Sequence, residues 1–244
     1  MKRSSWTALI LVFALFAIVS RPLPSQEISA DDESEVADHM HDYLTRITTI
    51  KSSVIMGNRD GVRELATWLV EHETVSGLPE DFEPYVEMIR SYAREVVAAP
   101  DLKSAAKSVS GMARTCGNCH QVNEVELEFG FDTKPPEWAD TISLMQRHQW
   151  AAERLWEGLI GPSDVAWSRG TDMLVDVPLR PAYVLDDTIN GVRSDVIDKA
   201  AHRVHLLGGQ GTITSTPDAR AELYGELLGL CADCHISLGR GRER

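Results

Sequence analysis

Two stretches of the chain carry apolar side chains at the spacing of an α-helix. In the first stretch the apolar positions are Val36, Met40, Tyr43, Ile47, Ile50 and Val54. In the second they are Trp138, Ile142, Met145, Ala152, Trp156 and Leu159, with Gln149 as the one polar interruption. Alternating intervals of four and three residues place these side chains on one face of a helix. Glycine and polar residues follow each stripe, at 57–60 and 161–164, and predict a helix end and a new helix start.

Three further helices are expected after each stripe. Their predicted bounds are 60–72, 79–99 and 101–120 in the first half of the chain, and 163–176, 185–207 and 216–235 in the second. Thr216 and Pro217 form a typical N-cap and first helical residue. The Gly/Thr/Ser-rich segment 208–215 is predicted to be a loop without a counterpart in the first half. Because no useful run alternates like a strand, we predict an all-α protein of two tandem antiparallel four-helix bundles.

All four cysteines lie in two C-x-x-C-H motifs that are 115 residues apart. The first motif is residues 116–120 (CGNCH) and the second motif is residues 231–235 (CADCH), and each ends a last predicted helix. This internal repeat divides the chain into a first domain at 26–120, a linker at 121–136 that is acidic and then proline-rich, and a second domain at 137–244. Domains of about 100 residues are of ordinary size.

The two motifs predict two covalently attached haem c groups. Cysteines at i and i+3 project from one face of a helix, so both thiols can add to the vinyl groups of one haem. The His that follows can then offer its imidazole to the iron. The predicted attachment residues are Cys116, Cys119, Cys231 and Cys234, and the predicted proximal ligands of the two irons are His120 and His235.

Other chemistries of paired cysteines explain the two motifs less well. Zinc bound by both Cys pairs would not require a His after each pair. A thioredoxin-like redox pair belongs in a βαβ context, which the helical pattern lacks. A disulfide between positions i and i+3 of one helix is strained and closes almost no chain. Haem attachment is therefore the favoured interpretation.

The N-terminal segment has the pattern of a secretory signal peptide. A basic start precedes an apolar run at 6–19, and small residues and prolines follow, which predicts a signal peptide at 1–25. Cleavage after Ser20 and cleavage after Ser25 both fit. The apolar run of 14 residues is shorter than the ~20 that a membrane-spanning helix needs, and an uncleaved anchor is the alternative. We expect export to the periplasm and a mature chain without stable membrane insertion.

Composition and charge limit the classes of partner. Hydrophobic residues make up 43% of the chain and charged residues 25%, which indicates a globular protein rather than a disordered one. The formal net charge is −13, so a protein that binds nucleic-acid phosphates is not expected. An acidic surface favours protein partners with basic docking surfaces.

The motifs and the helical pattern together resemble the class II c-type cytochromes, of the cytochrome c′ and cytochrome c556 type. Proteins of this family are antiparallel four-helix bundles with C-x-x-C-H near the end of the last helix. The resemblance covers both repeats, nearly all of residues 34–236. We expect electron transfer between periplasmic redox proteins rather than enzyme activity, as the distal ligand decides. Dimers are common in the family, which leaves a homodimer open as an assembly.

The resemblance also implies that the distal iron ligand comes from the first helix of each repeat. Met40 and Met145 lie on the two apolar stripes and are the predicted distal ligands. A thioether ligand raises the potential of a low-spin electron carrier. His148, three residues after Met145, is the rival ligand in the second repeat. His39 and His41 are expected on the polar, solvated face of the first helix.

An open distal side on one or both haems would change the function. Such an iron binds NO or CO, or acts on peroxide, so a gas-binding or detoxifying haem protein is the alternative to an electron carrier. A peroxidase-like activity is the weakest candidate, because the sequence by itself places no distal His–Arg pair near either haem.

Overall fold

The structure is a computed structural model, and almost all of what it describes is helical. It describes residues 30–72, 78–125, 127, 134–137, 141–176, 188–189 and 192–239. The first four helices are α1 (Ala30–Met56), α2 (Arg59–Glu71), α3 (Glu83–Ala98) and α4 (Leu102–Val122). The next four are α5 (Thr141–Ile160), α6 (Asp164–Asp176), α7 (Ser194–Gly211) and α8 (Pro217–Ser237). Between α6 and α7, two-residue strands β1 (Thr188–Ile189) and β2 (Val192–Arg193) pair antiparallel. The all-α prediction is confirmed.

Local capping explains why several helices begin and end where they do. Gly57 has a positive φ of 78° directly after α1, a conformation that glycine adopts without strain. The side chain of Asn58 then accepts a hydrogen bond of 2.9 Å from the backbone N–H of Gly61 and caps α2. At the start of α8, Thr216 caps the helix and Pro217 is its first residue. Both helix starts agree with the sequence prediction.

The predicted loop at 208–215 is wrong in its first half, because α7 continues to Gly211. Gly208 and Gly211 serve close packing against α6 rather than a turn. A Cβ on Gly208 would come within 2.7 Å of the Cβ of Leu174 on α6. The backbone carbonyl of Gly211 accepts a hydrogen bond of 2.9 Å from the indole of Trp167. The third helices also begin later than predicted, at Glu83 and Ser194.

The two repeats share one core, although each keeps its own chain of neighbouring helices. In each repeat the helices pack against one another in sequence order. The most extensive helix–helix interface nevertheless joins α4 to α8. In addition, the interface of α1 with α8 is more extensive than its interface with α4. Likewise, the interface of α5 with α4 is more extensive than its interface with α8. Buried side chains of both repeats form one continuous cluster, so the expectation of two bundles joined through a linker does not describe the packing.

The last helices of the two repeats run antiparallel and place the two motifs at opposite ends. Arg114 pairs with Asp218, and a Cβ on Gly225 would lie 3.0 Å from the Cα of Lys107. These contacts fix the register of α4 against α8. With a rise of about 1.5 Å per residue, the centres of the two motifs are separated by roughly 28 Å along the helix pair. The small Gly225 allows the two backbones to approach closely.

The predicted signal peptide at 1–25 lies outside the described residues. Within the part of the chain that the structure describes, no helix has the length and apolar character needed to cross a membrane.

Candidate functional site

The first motif lies near the C-terminal end of α4, with its two thiols one helical turn apart. Cys116 and Cys119 are free thiols and partly buried. Burial raises the pKa of the Cys116 thiol to about 12, and the neighbouring Cys119 adds to the shift. The amide of Asn123 lies 3.5 Å from Cys119 Sγ. Two neutral thiols therefore point from one side of the helix, as attachment to a single planar group requires.

His120 at the end of the first motif is held by the other repeat. Its Nδ1 lies 2.6 Å from the backbone carbonyl of Ile160, the last residue of α5. Because a carbonyl oxygen can only accept, Nδ1 carries the proton and Nε2 carries the lone pair. Burial lowers the pKa of His120, and the hydrogen bond to Ile160 opposes that shift. The imidazole is thus neutral, with Nε2 prepared to bind a metal.

The end of α5 approaches the first motif very closely. A Cβ on Gly117 would collide with the backbone carbonyl oxygen of Leu159. Only glycine fits at this place without moving one of the two helices. Nothing in the local sequence pattern links residue 117 to residue 159, so the sequence by itself does not predict this contact.

The second motif places its two thiols one turn apart in the same way, near the end of α8. Burial raises the pKa of the Cys231 thiol to about 12, with a further contribution from Cys234. Ala232 is fully buried, and His235 lies in the last turns of the helix. Both motifs therefore present two thiols and an adjacent His on a well-packed helix.

These residues fit a covalently bound haem better than they fit zinc. The two Cys pairs sit at opposite ends of the α4–α8 pair, so four thiols do not meet at one ion. Among the residues described, no group of three or more His, Cys, Asp or Glu could hold a metal ion. An imidazole with a tied Nδ1 would hold the iron of a c-type haem, and the two thiols one turn apart would attach its porphyrin.

The predicted distal residues occupy unlike environments. Met40 is half-buried and packs against the core. Met145 is 39% exposed, so the expectation that it lies on the buried face of α5 is wrong, while its role as a ligand stays a prediction. The predicted Ala152, Trp156 and Leu159 are buried, and Leu144, Ala151 and Leu155 belong to the same buried face.

His148, the rival ligand, is more enclosed than Met145. Its Nε2 is buried and has no hydrogen-bond partner among the described residues. Burial lowers the pKa of His148 to about 4, and the charge of Arg147 adds to the shift. One turn further along α5, the carbonyl of Ala152 accepts a hydrogen bond of 3.1 Å from the hydroxyl of Tyr224 on α8. The C-terminal residue of α5, Ile160, contacts the first motif, so His148 lies on the other side of Ala152, toward the second motif.

The expectation that His39 is solvated is wrong, because His39 is only 4% exposed. Its ring centroid lies 4.6 Å from that of Tyr43 and 5.9 Å from that of His72. His39 Nε2 is buried without a hydrogen-bond partner in the described part of the chain. His41 is exposed, as expected. The spacing of His39 from Val36 and Tyr43, three and four residues, was the signal that the apolar face is wider than one stripe.

Arg90 on α3 lies beside His39, Tyr43 and His72. We call these four residues the α1–α3 polar cluster. Arg90 donates a hydrogen bond to the carbonyl of His72. Its charge lowers the pKa of His39, although burial is the larger cause of that shift. Burial raises the pKa of Tyr43, and the guanidinium of Arg90 opposes this. The cluster therefore combines a neutral imidazole, a phenol and a guanidinium inside the bundle.

The α1–α3 polar cluster lies at the same end of its repeat as the first motif. Helices α3 and α4 are antiparallel: Arg114 bonds the Tyr92 hydroxyl at 2.7 Å, and Ser108 bonds Glu95 at 2.8 Å. Extrapolating this register places Arg90 beside the residues that directly precede Cys116. The structure thus places His39 and Arg90 together, at the end of the repeat that carries the first motif. The sequence did not predict this.

Comparison with known proteins adds no relative. No protein-family model matches the chain, and searches of curated proteins and of solved structures find no match. What the fold and the two motifs define is an all-helical protein whose two C-x-x-C-H helices pack antiparallel in one core.

Proposed function

We propose that the protein is an exported dihaem c-type cytochrome of the class II kind, which carries electrons between periplasmic redox proteins. The observation that carries this proposal is His120: its Nδ1 is tied to Ile160 at 2.6 Å, and it directly follows two thiols one turn apart. Each thiol would add across one vinyl group of the haem, and the Nε2 of the following His would bind the iron. The haem, when bound, supplies an iron that gains and loses one electron.

The thiols and imidazoles of both motifs are partly buried, so they would hold that group at the edge of the core. The buried thiols stay protonated until they react, because their pKa values are raised by burial. A neutral proximal imidazole is supported by the lowered pKa of His120. The separation of the motifs along α4 and α8 gives each haem its own face of the molecule, where a partner could dock. The net charge of −13 favours partners with basic docking surfaces.

Haem content tests the proposal directly. Protein purified from the periplasm should show the absorption of a c-type haem after pyridine treatment, and a mass raised by two haems. Replacing both Cys116 and Cys119 with Ser should leave one haem, and the matched replacement of Cys231 and Cys234 should leave the other. A wild-type protein without haem would refute the assignment. So would either double-Cys variant that still carries two haems.

The α1–α3 polar cluster favours a second candidate function, the binding of a small ligand at the first haem. A buried imidazole with an unpartnered Nε2, next to a phenol and a guanidinium, suits a polar ligand such as NO or peroxide on the distal side. Addition of CO to the reduced protein separates the two functions. An electron carrier with six-coordinate irons changes little, whereas an open first haem gives a large Soret shift that is absent after removal of Cys116 and Cys119.

A further inference from the structure

The two motifs differ in their second residue, which is Gly117 in the first motif and Ala232 in the second. Ala232 is fully buried, so a methyl group is accommodated in the second motif. At Gly117 the same methyl group would collide with the carbonyl oxygen of Leu159. The end of α5 therefore presses on the first motif at a place where the second motif has room for a side chain.

We propose that the C-terminal turn of α5, residues 159–160, positions the proximal imidazole of the first haem, so that the second repeat sets the electronic properties of the haem in the first. The proposal rests on the proposed function and extends it. Ile160 acts through its backbone carbonyl, and Gly117 acts by allowing that carbonyl to come close. His120 is the group that would bind iron, and these two are positioning residues.

The hydrogen bond from His120 to Ile160 has a defined electronic consequence. A carbonyl that accepts a hydrogen bond from Nδ1–H makes the imidazole a stronger electron donor through Nε2. A stronger donor stabilises the oxidised iron and lowers the reduction potential. Because the bond is partly buried and 2.6 Å long, water competes with it poorly. The orientation of the ring and its tautomer are fixed by the same contact.

The acceptor is itself fixed in place, which a positioning role requires. Gly158, two residues before the end of α5, packs against α6 so tightly that a Cβ there would lie 3.0 Å from the Cβ of Trp167. Trp167 is buried and bonded through its indole to Gly211 on α7. Three helices of the second repeat thus hold the carbonyl that His120 uses.

The variant Gly117→Ala tests the proposal, because it gives the first motif the residue that the second motif already has. The motif remains C-x-x-C-H, so attachment of both haems should be retained. The added methyl group displaces the Leu159–Ile160 turn and weakens the bond to His120. We expect the reduction potential of one haem to rise while that of the other stays unchanged. The control is Gly209→Ala on α7, where a Cβ would meet no described atom within 4 Å.

A second measurement, on protein that keeps Gly117 and the whole first motif, keeps the test decisive if Gly117→Ala folds poorly. With Cys231 and Cys234 replaced by Ser, the first haem remains alone, and the ring N–H of His120 can be followed by NMR after transfer to D2O. Slow exchange is expected from a short, partly buried hydrogen bond to a backbone carbonyl. Exchange at the rate of a solvated imidazole, or equal shifts of both potentials in Gly117→Ala, overturns the positioning role. Absence of haem from the wild type would instead overturn the proposed function, and this inference with it.

Discussion

The ammonium of Lys51 on α1 lies 2.6 Å from the carboxylate of Glu153 on α5, so an ion pair joins the two repeats. The Lys51 side chain is fully buried, whereas that of Glu153 is 37% exposed. The Lys51 Nζ also lies 5.1 Å from the ring centroid of Trp156. Burial lowers the pKa of Lys51, and Glu153 opposes this shift. The pair is therefore unequal: the cation depends on its partner more than the anion does.

This inequality predicts different results for the two partners. Glu153→Gln leaves a buried cation without its counter-charge and should lower the free energy of unfolding by about 3 kcal/mol. Lys51→Met removes the buried charge and keeps an apolar side chain of similar size. It should change the free energy of unfolding by less than about 1 kcal/mol. Urea unfolding of both variants, followed by far-UV circular dichroism, measures the difference. Equal losses would show that the pair is not organised as described.

Unfolding of the two repeats should occur in one transition, because their helices share a core.

Gly225→Ala places a methyl group 2.8 Å from Ser110 Oγ and 3.0 Å from the Cα of Lys107. This overpacking should lower the free energy of unfolding by about 1–3 kcal/mol. Gly209→Ala, with no described atom within 4 Å, should stabilise its helix by about 0.5–1 kcal/mol.

The same unfolding curves test the shared core. We expect tryptophan fluorescence and circular dichroism to give coincident transitions in the wild type and in Gly225→Ala. Two separate transitions, or loss of stability confined to one of them, would indicate repeats that fold independently.

Tyr224 should make the protein less stable at alkaline pH. Burial raises the pKa of Tyr224 well above its ordinary value of 10.0, so above pH ~10 the unfolded chain loses this proton and the folded chain keeps it. Stability is fully present below pH ~10 and falls by up to about 1.4 kcal/mol per pH unit above it. Tyr224→Phe removes the hydrogen bond to Ala152 and should lower the free energy of unfolding by about 1 kcal/mol at pH 7. The stability of this variant should also fall less steeply at alkaline pH. An unchanged alkaline slope in this variant would refute the prediction.

The distal ligands can be identified spectroscopically. If Met40 and Met145 bind the two irons, the oxidised protein should show a weak charge-transfer band in the far red. That band should be lost in two steps in Met40→Ala and Met145→Ala. Because Met145 is 39% exposed and His148 is enclosed with an unpartnered Nε2, the second step is the sharper test. A band that survives Met145→Ala, or a spectral change in His148→Ala instead, would assign the second iron to His148.

Local features of this protein were readable from the sequence, because they depend on neighbouring residues. The stripe through Ile47, Ile50 and Val54 predicted the buried face of α1, and all three side chains are buried. Thr216 predicted the start of α8 through its N-cap. The position of each C-x-x-C-H near the end of a helix also followed from periodicity and spacing alone.

The pairing of helices was decided by tertiary structure, since many helices have similar apolar faces and periodicity does not say which of them meet. The sequence predicted that α4 and α8 each close a bundle, whereas their closest packing is with each other. Glycine is ambiguous for the same reason: Gly208 was interpreted as part of a loop, yet it lies in α7 and allows close contact with α6. The burial of His39 depends likewise on which residues of α2 and α3 surround it. The hydrogen bond between His120 and Ile160 joins residues 40 positions apart in sequence, and only the packing of one repeat against the other brings that carbonyl within reach of the imidazole.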